Sequence, residues 1–241
     1  MSKDINIRTD IQWDKVSCLL KTGIAGALIN LAGDMLAGWG VRDMSLPGIE
    51  GLVSHYLLLS DRRIFWSAML GLVGVPVSAV GHIGVYKLLR PYSRKYARLC
   101  GVGIFAAFTF GGSGVHMSSL ASAFFYKYMN AASPQTALTA SIKFACYFSL
   151  PLYAALLLCM TISTYAQIRA LATGLSPFPR WCWVFSLPVG ALLVSPISLF
   201  GNHAVVNAIA VGVLSLGNIW MLGGQLLMLG RVKEKRKKPS T

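Results

Sequence analysis

Six stretches of this chain run apolar for about twenty residues or more: roughly 18–40, 64–89, 98–126, 138–168, 181–200 and 204–229. A helix needs about 20 such residues to cross the hydrocarbon core of a bilayer. Within lipid each backbone N–H and C=O must find its partner inside the same segment, which leaves the helix as the form these stretches can take. The expected fold is therefore all-α, a polytopic transmembrane bundle of six spanning helices. The third and fourth stretches are longer than the bilayer requires and must tilt, kink or project. Composition agrees: 55% of residues are hydrophobic and only 12% charged, where a soluble domain carries about 25%.

Charge sets the orientation. The net charge of +14 would suggest a nucleic-acid partner in a soluble protein, but no basic patch here is interleaved with stacking aromatics, so nucleic acid is not an expected partner. The basic residues alternate with the apolar stretches instead. With the N-terminus inside, the cytoplasmic side collects 17 Lys and Arg, among them Lys15, Lys87, Arg90, Arg94, Arg180 and the run Arg231 to Lys238; the outer side keeps 4, Arg42, Arg62, Arg63 and Lys127. An excess of this kind marks the cytoplasmic face. Both termini are thus expected inside, with residues 1–17 a cytoplasmic segment, 18–230 the six-helix domain and 231–241 a basic tail. Asp4, Asp10 and Asp14 precede the first stretch and argue against a cleaved signal, so that stretch is expected to stay as an anchor. The lipid bilayer is the first expected partner, anionic lipids at the tail the second. Small-residue stripes leave room for a homo-oligomer.

Several stretches carry small or polar residues at helical spacing, and such stripes should face the bundle interior, where they allow close helix approach. The first shows Gly23, Ala27, Asn30, Asp34 and Ala37; the second Gly71, Gly74, Ser78 and His82. The third shows Thr109, Gly112, His116 and Ser119, and the last Asn207, Leu214, Asn218 and Gln225. Phe105, Phe108, Leu156, Leu157, Ile29 and Leu120 are left for the lipid side. Pro76, Pro151, Pro188 and Pro196 fall within the stretches and favour kinks. The outer segment 51–60 is too short to span and reads as an interfacial helix or lid, with His55 in solvent. The five cysteines are scattered, without ligand spacing, and read as buried small hydrophobes.

An ionisable group in hydrocarbon is costly and so informative. Asp34 is the one acid inside any stretch. Asp34, His116, Lys143, Asn202, His203 and Asn207 come from different stretches yet share a depth in their outer halves, and they form the candidate ligand-binding set. A plainer arrangement is an Asp34–Lys143 ion pair with no chemistry. His82 lies in the inner half and reads as structural.

The runs LAGDMLAGW, RRIFWSAMLGLVGVPVSAVGHIGVYKLL, SGVHMSS and SPISLFGNHAVVNAIAVGVLSLGNIW resemble an uncharacterised family of bacterial multi-pass membrane proteins. That resemblance covers most of the chain and implies the bundle fold and a place in a bacterial inner membrane, but no activity. Ser78-x-x-x-His82 is similar to the second-helix motif of membrane hydrolases of the ceramidase and progestin-receptor type. Those also carry HxxxH in the last helix, where this chain has no histidine, so their zinc site is not expected here.

Three readings remain. The first is binding or permeation of a small polar or ionic ligand through an outward-facing polar cavity. The second is a scaffold whose polar groups only join helices. The third is a membrane-embedded hydrolase with zinc on Asp34, His116 and His203. No nucleotide, hydrolase or dinucleotide motif occurs, and no cofactor is expected.

Overall fold

The computed structural model describes residues 11–237. Lys3 and Arg8 of the N-terminal segment and the end of the basic tail from Lys238 lie outside the described residues, as do the tail side chains beyond Glu234. The described residues are helical, with no strand among them. Five helices are long and apolar enough to cross a membrane.

Helix α1 (Trp13–Gly38) carries Asp14 in its first turn, where a negative charge suits the positive end of the helix dipole. A short α2 (Gly48–Val53) continues into a 3-10 turn over Ser54–Leu58, so the outer segment is helical but too short to span. Ser60 caps α3 (Asp61–Leu89) by accepting from Arg63 N–H at 3.3 Å. α1 and α3 run antiparallel along a seam of small residues. A Cβ built on Gly26 would lie 2.2 Å from Ser78 N, and one on Gly23 would lie 2.4 Å from Gly81 Cα. Only glycine admits backbones so close.

The third expected span is one rod of three parts. α4 (Arg94–Ala106) passes into a π-helical stretch over Ala107–His116 and then into α5 (Met117–Ala132). Glycine permits the widening: a Cβ on Gly112 would meet Leu72 O at 2.8 Å and Pro76 Cδ at 3.0 Å. The fourth span is divided at Ser149 into α6 (Pro134–Phe148) and α7 (Leu150–Ala172), with Pro151 in the first turn of α7, where its missing N–H goes unneeded.

The last third departs most from expectation. Residues 181–200 do not form one spanning helix. A 3-10 turn at Arg180–Val184, α8 (Leu187–Val194) and another 3-10 turn at Ser195–Phe200 take its place. Pro188 and Pro196 each open an element rather than kink one. The segment nevertheless runs antiparallel to the final helix: Phe185 packs at Gly224, Gly190 at Gly217 and Trp220, and Trp220 Nε1 donates to Val184 O at 2.8 Å. Gly201 turns the chain at φ +94°. α9 (Ala204–Val211) and α10 (Val213–Lys237) follow, separated at Gly212.

Lys233 Nζ meets Asp14 Oδ1 at 2.5 Å, so α10 ends beside the start of α1. This end of the bundle, which also holds the end of α3 and the start of α4, is the basic face. Its core is oily: Val16, Leu20, Val85, Leu88, Met221, Leu222 and Leu229 are buried together. Large apolar side chains cover the outside, among them Phe65, Trp66, Phe105, Leu157, Leu192 and Leu199, the last 87% exposed. A patch of that extent calls for lipid or a partner to cover it.

Candidate functional site

The polar groups converge where α1, α3, the π-stretch and α10 meet, toward the face opposite the basic one. Asn30 and Asp34 stand one turn apart on α1. Ser215 Oγ of α10 donates to Asp34 Oδ2 at 2.6 Å, Asn30 Nδ2 donates to Ser215 Oγ at 2.7 Å, and the same Nδ2 reaches Asp34 Oδ2 at 3.3 Å. The other Asp34 oxygen, Oδ1, lies 3.6 Å from His116 Nδ1, and both side chains are nearly buried, at 13% and 11% exposed.

Geometry fixes the histidine tautomer. His116 Nε2 is 2.9 Å from Ser67 O, and a carbonyl only accepts, so Nε2 carries the hydrogen. In a neutral ring Nδ1 is then a lone pair facing a carboxylate oxygen. Two acceptors opposed in a low-dielectric core repel, and the contact is favourable only when one proton resides on the pair, as imidazolium or as carboxylic acid. Gly71 makes the arrangement possible: a Cβ there would lie 2.0 Å from His116 Cδ2. Ser67 Oγ in turn donates to Gly33 O at 2.7 Å, tying the histidine's support to α1. Asn30 Oδ1 is buried with no hydrogen-bond partner among the described residues, leaving an acceptor beside the acid.

A second polar group lies deeper on the same seam. Asn218, one turn beyond Ser215 on α10, donates to Ser78 Oγ at 2.5 Å and accepts from His82 Nε2 at 3.1 Å. His82 is buried and bonded there, a structural role. Next on α10 comes Leu222, fully buried against Gly23 and Gly81. Toward the basic face the seam is closed by oil.

Not all expected members join. The Asp34–Lys143 ion pair is not formed: Lys143 sits on the exposed face of α6, and Asp34 is held by His116, Ser215 and Asn30. His203 is exposed at the start of α9. Asn202 and Asn207 do come together, at 2.8 Å, but they hold backbone. Asn202 exchanges both its amide groups with Arg42 N–H and C=O, at 3.0 and 2.6 Å, and Asn207 donates to Gly40 O at 2.7 Å. Among the described residues no three His, Cys, Asp or Glu side chains converge as a metal site would need, so the zinc reading lacks its third ligand.

Two stripes are turned from their expected phase. Thr109 and Ser119 are exposed, whereas Leu120, expected toward lipid, is buried with Ala123. The π-turns add residues to each turn and rotate everything after them. On the last stretch Leu214 is exposed and Ser215 points inward, because the break at Gly212 resets the helix. The polar stripes of the sequence include neither Ser215 nor Ser67. The i, i+3 spacing of Ser215 and Asn218 was a usable signal for the first, but nothing local marks a backbone carbonyl such as that of Ser67 as a ligand.

His55 is not in solvent. It is 3% exposed, with Nδ1 donating to Leu52 O at 3.1 Å. Burial, then the nearby Arg42 charge, pushes its pKa down to about 4. The unfolded ring takes a proton near its ordinary value of about 6.5, so His55 supports the fold fully above that pH. The support is lost as pH falls from there toward 4. His55→Gln should flatten the decline in melting temperature across that interval in detergent. Equal slopes for both proteins would assign the decline to other groups.

No curated protein and no solved structure is significantly similar to the chain. A family profile matches residues 3–231, from α1 into α10 as far as Arg231, and includes all of the polar seam. By that match the chain belongs to the Family of unknown function (DUF6796).

Proposed function

We propose that the chain is an integral protein of the cell membrane, crossing it six times with both termini in the cytoplasm, and that its core binds a small cation, a proton in the first instance, taken up from the outer side. The membrane placement draws on the five long apolar helices and the apolar exterior. The six crossings draw on the antiparallel course of residues 181–200 beside α10. The orientation draws on the 17 to 4 division of basic residues and on the meeting of Lys233 with Asp14.

One observation carries the binding reading: Asp34 and His116 face each other as two acceptors 3.6 Å apart, just beyond hydrogen-bond length, so that a single proton on either would draw them into one. Asn30 turns its Nδ2 to Asp34 and Ser215 and keeps its Oδ1 buried without a partner among the described residues. An intramembrane acid with its partner named is a functional locus by its cost alone. Closure by Leu222 and Leu20 on the basic side supports access from the other side and binding rather than free passage in this state. The scaffold reading is favoured at Asn202 and Asn207, whose bonds pin residues 40–42.

Infrared difference spectra of reconstituted protein between high and low pH test this. A carboxylic C=O band should appear at the lower pH, shift in D2O within minutes, and vanish in Asp34→Asn. A spectrum unchanged by Asp34→Asn, or a band that does not exchange, would make the pair a dry interhelical contact.

A further inference from the structure

A second feature lies at the other end of the bundle. Ile11, Gln12, Lys15 and Val16 at the start of α1, Lys87 and Arg90 at the end of α3, and Pro91 and Arg94 leading into α4 line a cleft of about 490 Å³. Four of these residues are cations and none is acidic. The ion pairs among the described residues are His116–Asp34, Lys127–Asp61 and Lys233–Asp14, and none engages the cleft cations. Lys15, Arg90 and Arg94 are exposed and Lys87 half-buried, so the charges are available at the rim. The first turn of α4 holds no acid, so its dipole adds to the positive field rather than offsetting it.

Position indicates the anion. Trp13, Tyr92 and Tyr96 pack partly buried at this same end, and Trp and Tyr settle at headgroup depth. Ile11 and Val16 are buried beneath the cleft, so its accessible lining is mainly polar and cationic. An anion held at headgroup depth is a lipid phosphate, whose acyl chains need the apolar exterior and not the cleft itself. We propose that this cleft seats the phosphate of an anionic phospholipid, with the acyl chains continuing along the apolar exterior. Basic pockets between helices at the inner leaflet suit that chemistry. The proposal rests on the membrane reading and is independent of the Asp34–His116 site.

The test is melting of the full-length protein in neutral detergent, titrated with phosphatidylglycerol, phosphatidylcholine or sodium phosphate. Phosphatidylglycerol should raise the melting temperature, less so at high salt, and phosphatidylcholine should not. Arg90→Gln/Arg94→Gln should weaken the apparent affinity roughly 10- to 30-fold. Lys143→Gln, and a variant with residues 235–238 all changed to Gln, should stay within about twofold. Affinity lost only in the tail variant, or unchanged in the double variant, overturns the proposal. So does sodium phosphate that stabilises and competes as well as the lipid, which would make this a free-anion site. Lipid preference appearing only after Asp4→Asn/Asp10→Asn overturns it too, since the chain's own acids would then fill the cleft. A protein that stays monodisperse without detergent would instead fail the membrane reading, a distinguishable result.

Discussion

Alanine at Gly26 is expected to abolish recovery of folded protein. The added carbon would stand 2.2 Å from Ser78 N, 2.5 Å from Val77 C and 2.9 Å from Gly74 O. All three are backbone atoms of α3, so no side chain can turn aside, and the helices must separate along the seam that also carries Asn30, Asp34 and Ser78. Overpacking by one methyl in a core costs about 1–3 kcal/mol, and a clash with backbone alone belongs at or beyond the top of that range. Gly101→Ala and Gly223→Ala are the controls. A Cβ at either meets nothing within 4 Å, and alanine is the better helix former by about 1 kcal/mol. Size-exclusion profiles and melting temperatures in detergent should separate Gly26→Ala from the controls clearly. If Gly26→Ala melts with them, the α1–α3 crossing is looser than described.

The same seam shows what was legible in the sequence. On α1 and α3 the small-residue stripes gave the right faces: Gly23, Ala27, Gly71, Gly74, Ser78 and His82 are all buried. Those helices are regular over the relevant turns, Pro76 included, so a 3.6-residue period carries true from end to end. It failed where the helix was not regular. A fixed period cannot anticipate that residues 107–116 wind as a π-helix or that Gly212 interrupts the last span, and each event turns the following residues toward a different neighbour. Hence the helical stripes put Ser119 and Leu214 inside, where the structure exposes them, and leave out the buried Ser215. His116, at the end of the π-stretch, still points inward; had the rod been α-helical throughout, Asp34 would face a different residue. π-bulges recur at functional sites, and here one aims the histidine.

The candidate site was legible as a depth but not as a set of bonds. Asp34 and His116 were found because ionisable residues in hydrocarbon are conspicuous. The wrong partner for Asp34 followed from charge reasoning: a lysine looks like the natural complement to a lone acid. Lys143, on the exposed face of α6, has the bundle surface within reach of its long stem, while His116 is held inside by Gly71 and Ser67.

That pairing yields the sharper prediction. Asp34→Leu should destabilise the protein by about 3–5 kcal/mol, the range for breaking a buried charged pair by removing one member. Ser215, Asn30 and His116 would all lose their shared partner. Asp34→Asn should cost far less, about 1 kcal/mol or under. The asparagine oxygen can accept from Ser215 on the Oδ2 side, and its N–H can donate to His116 Nδ1 on the Oδ1 side, so the amide supplies by itself the hydrogen that the acid must borrow as a proton. Asp34→Leu/His116→Leu should recover part of the loss, because no polar group is then left facing the leucine at that contact. The measurement is thermal unfolding of the four proteins in one detergent. If Asp34→Asn is as damaging as Asp34→Leu, the negative charge itself holds the bundle and the proton is not shared. If the double variant shows strictly additive losses, Asp34 and His116 do not act on each other at all.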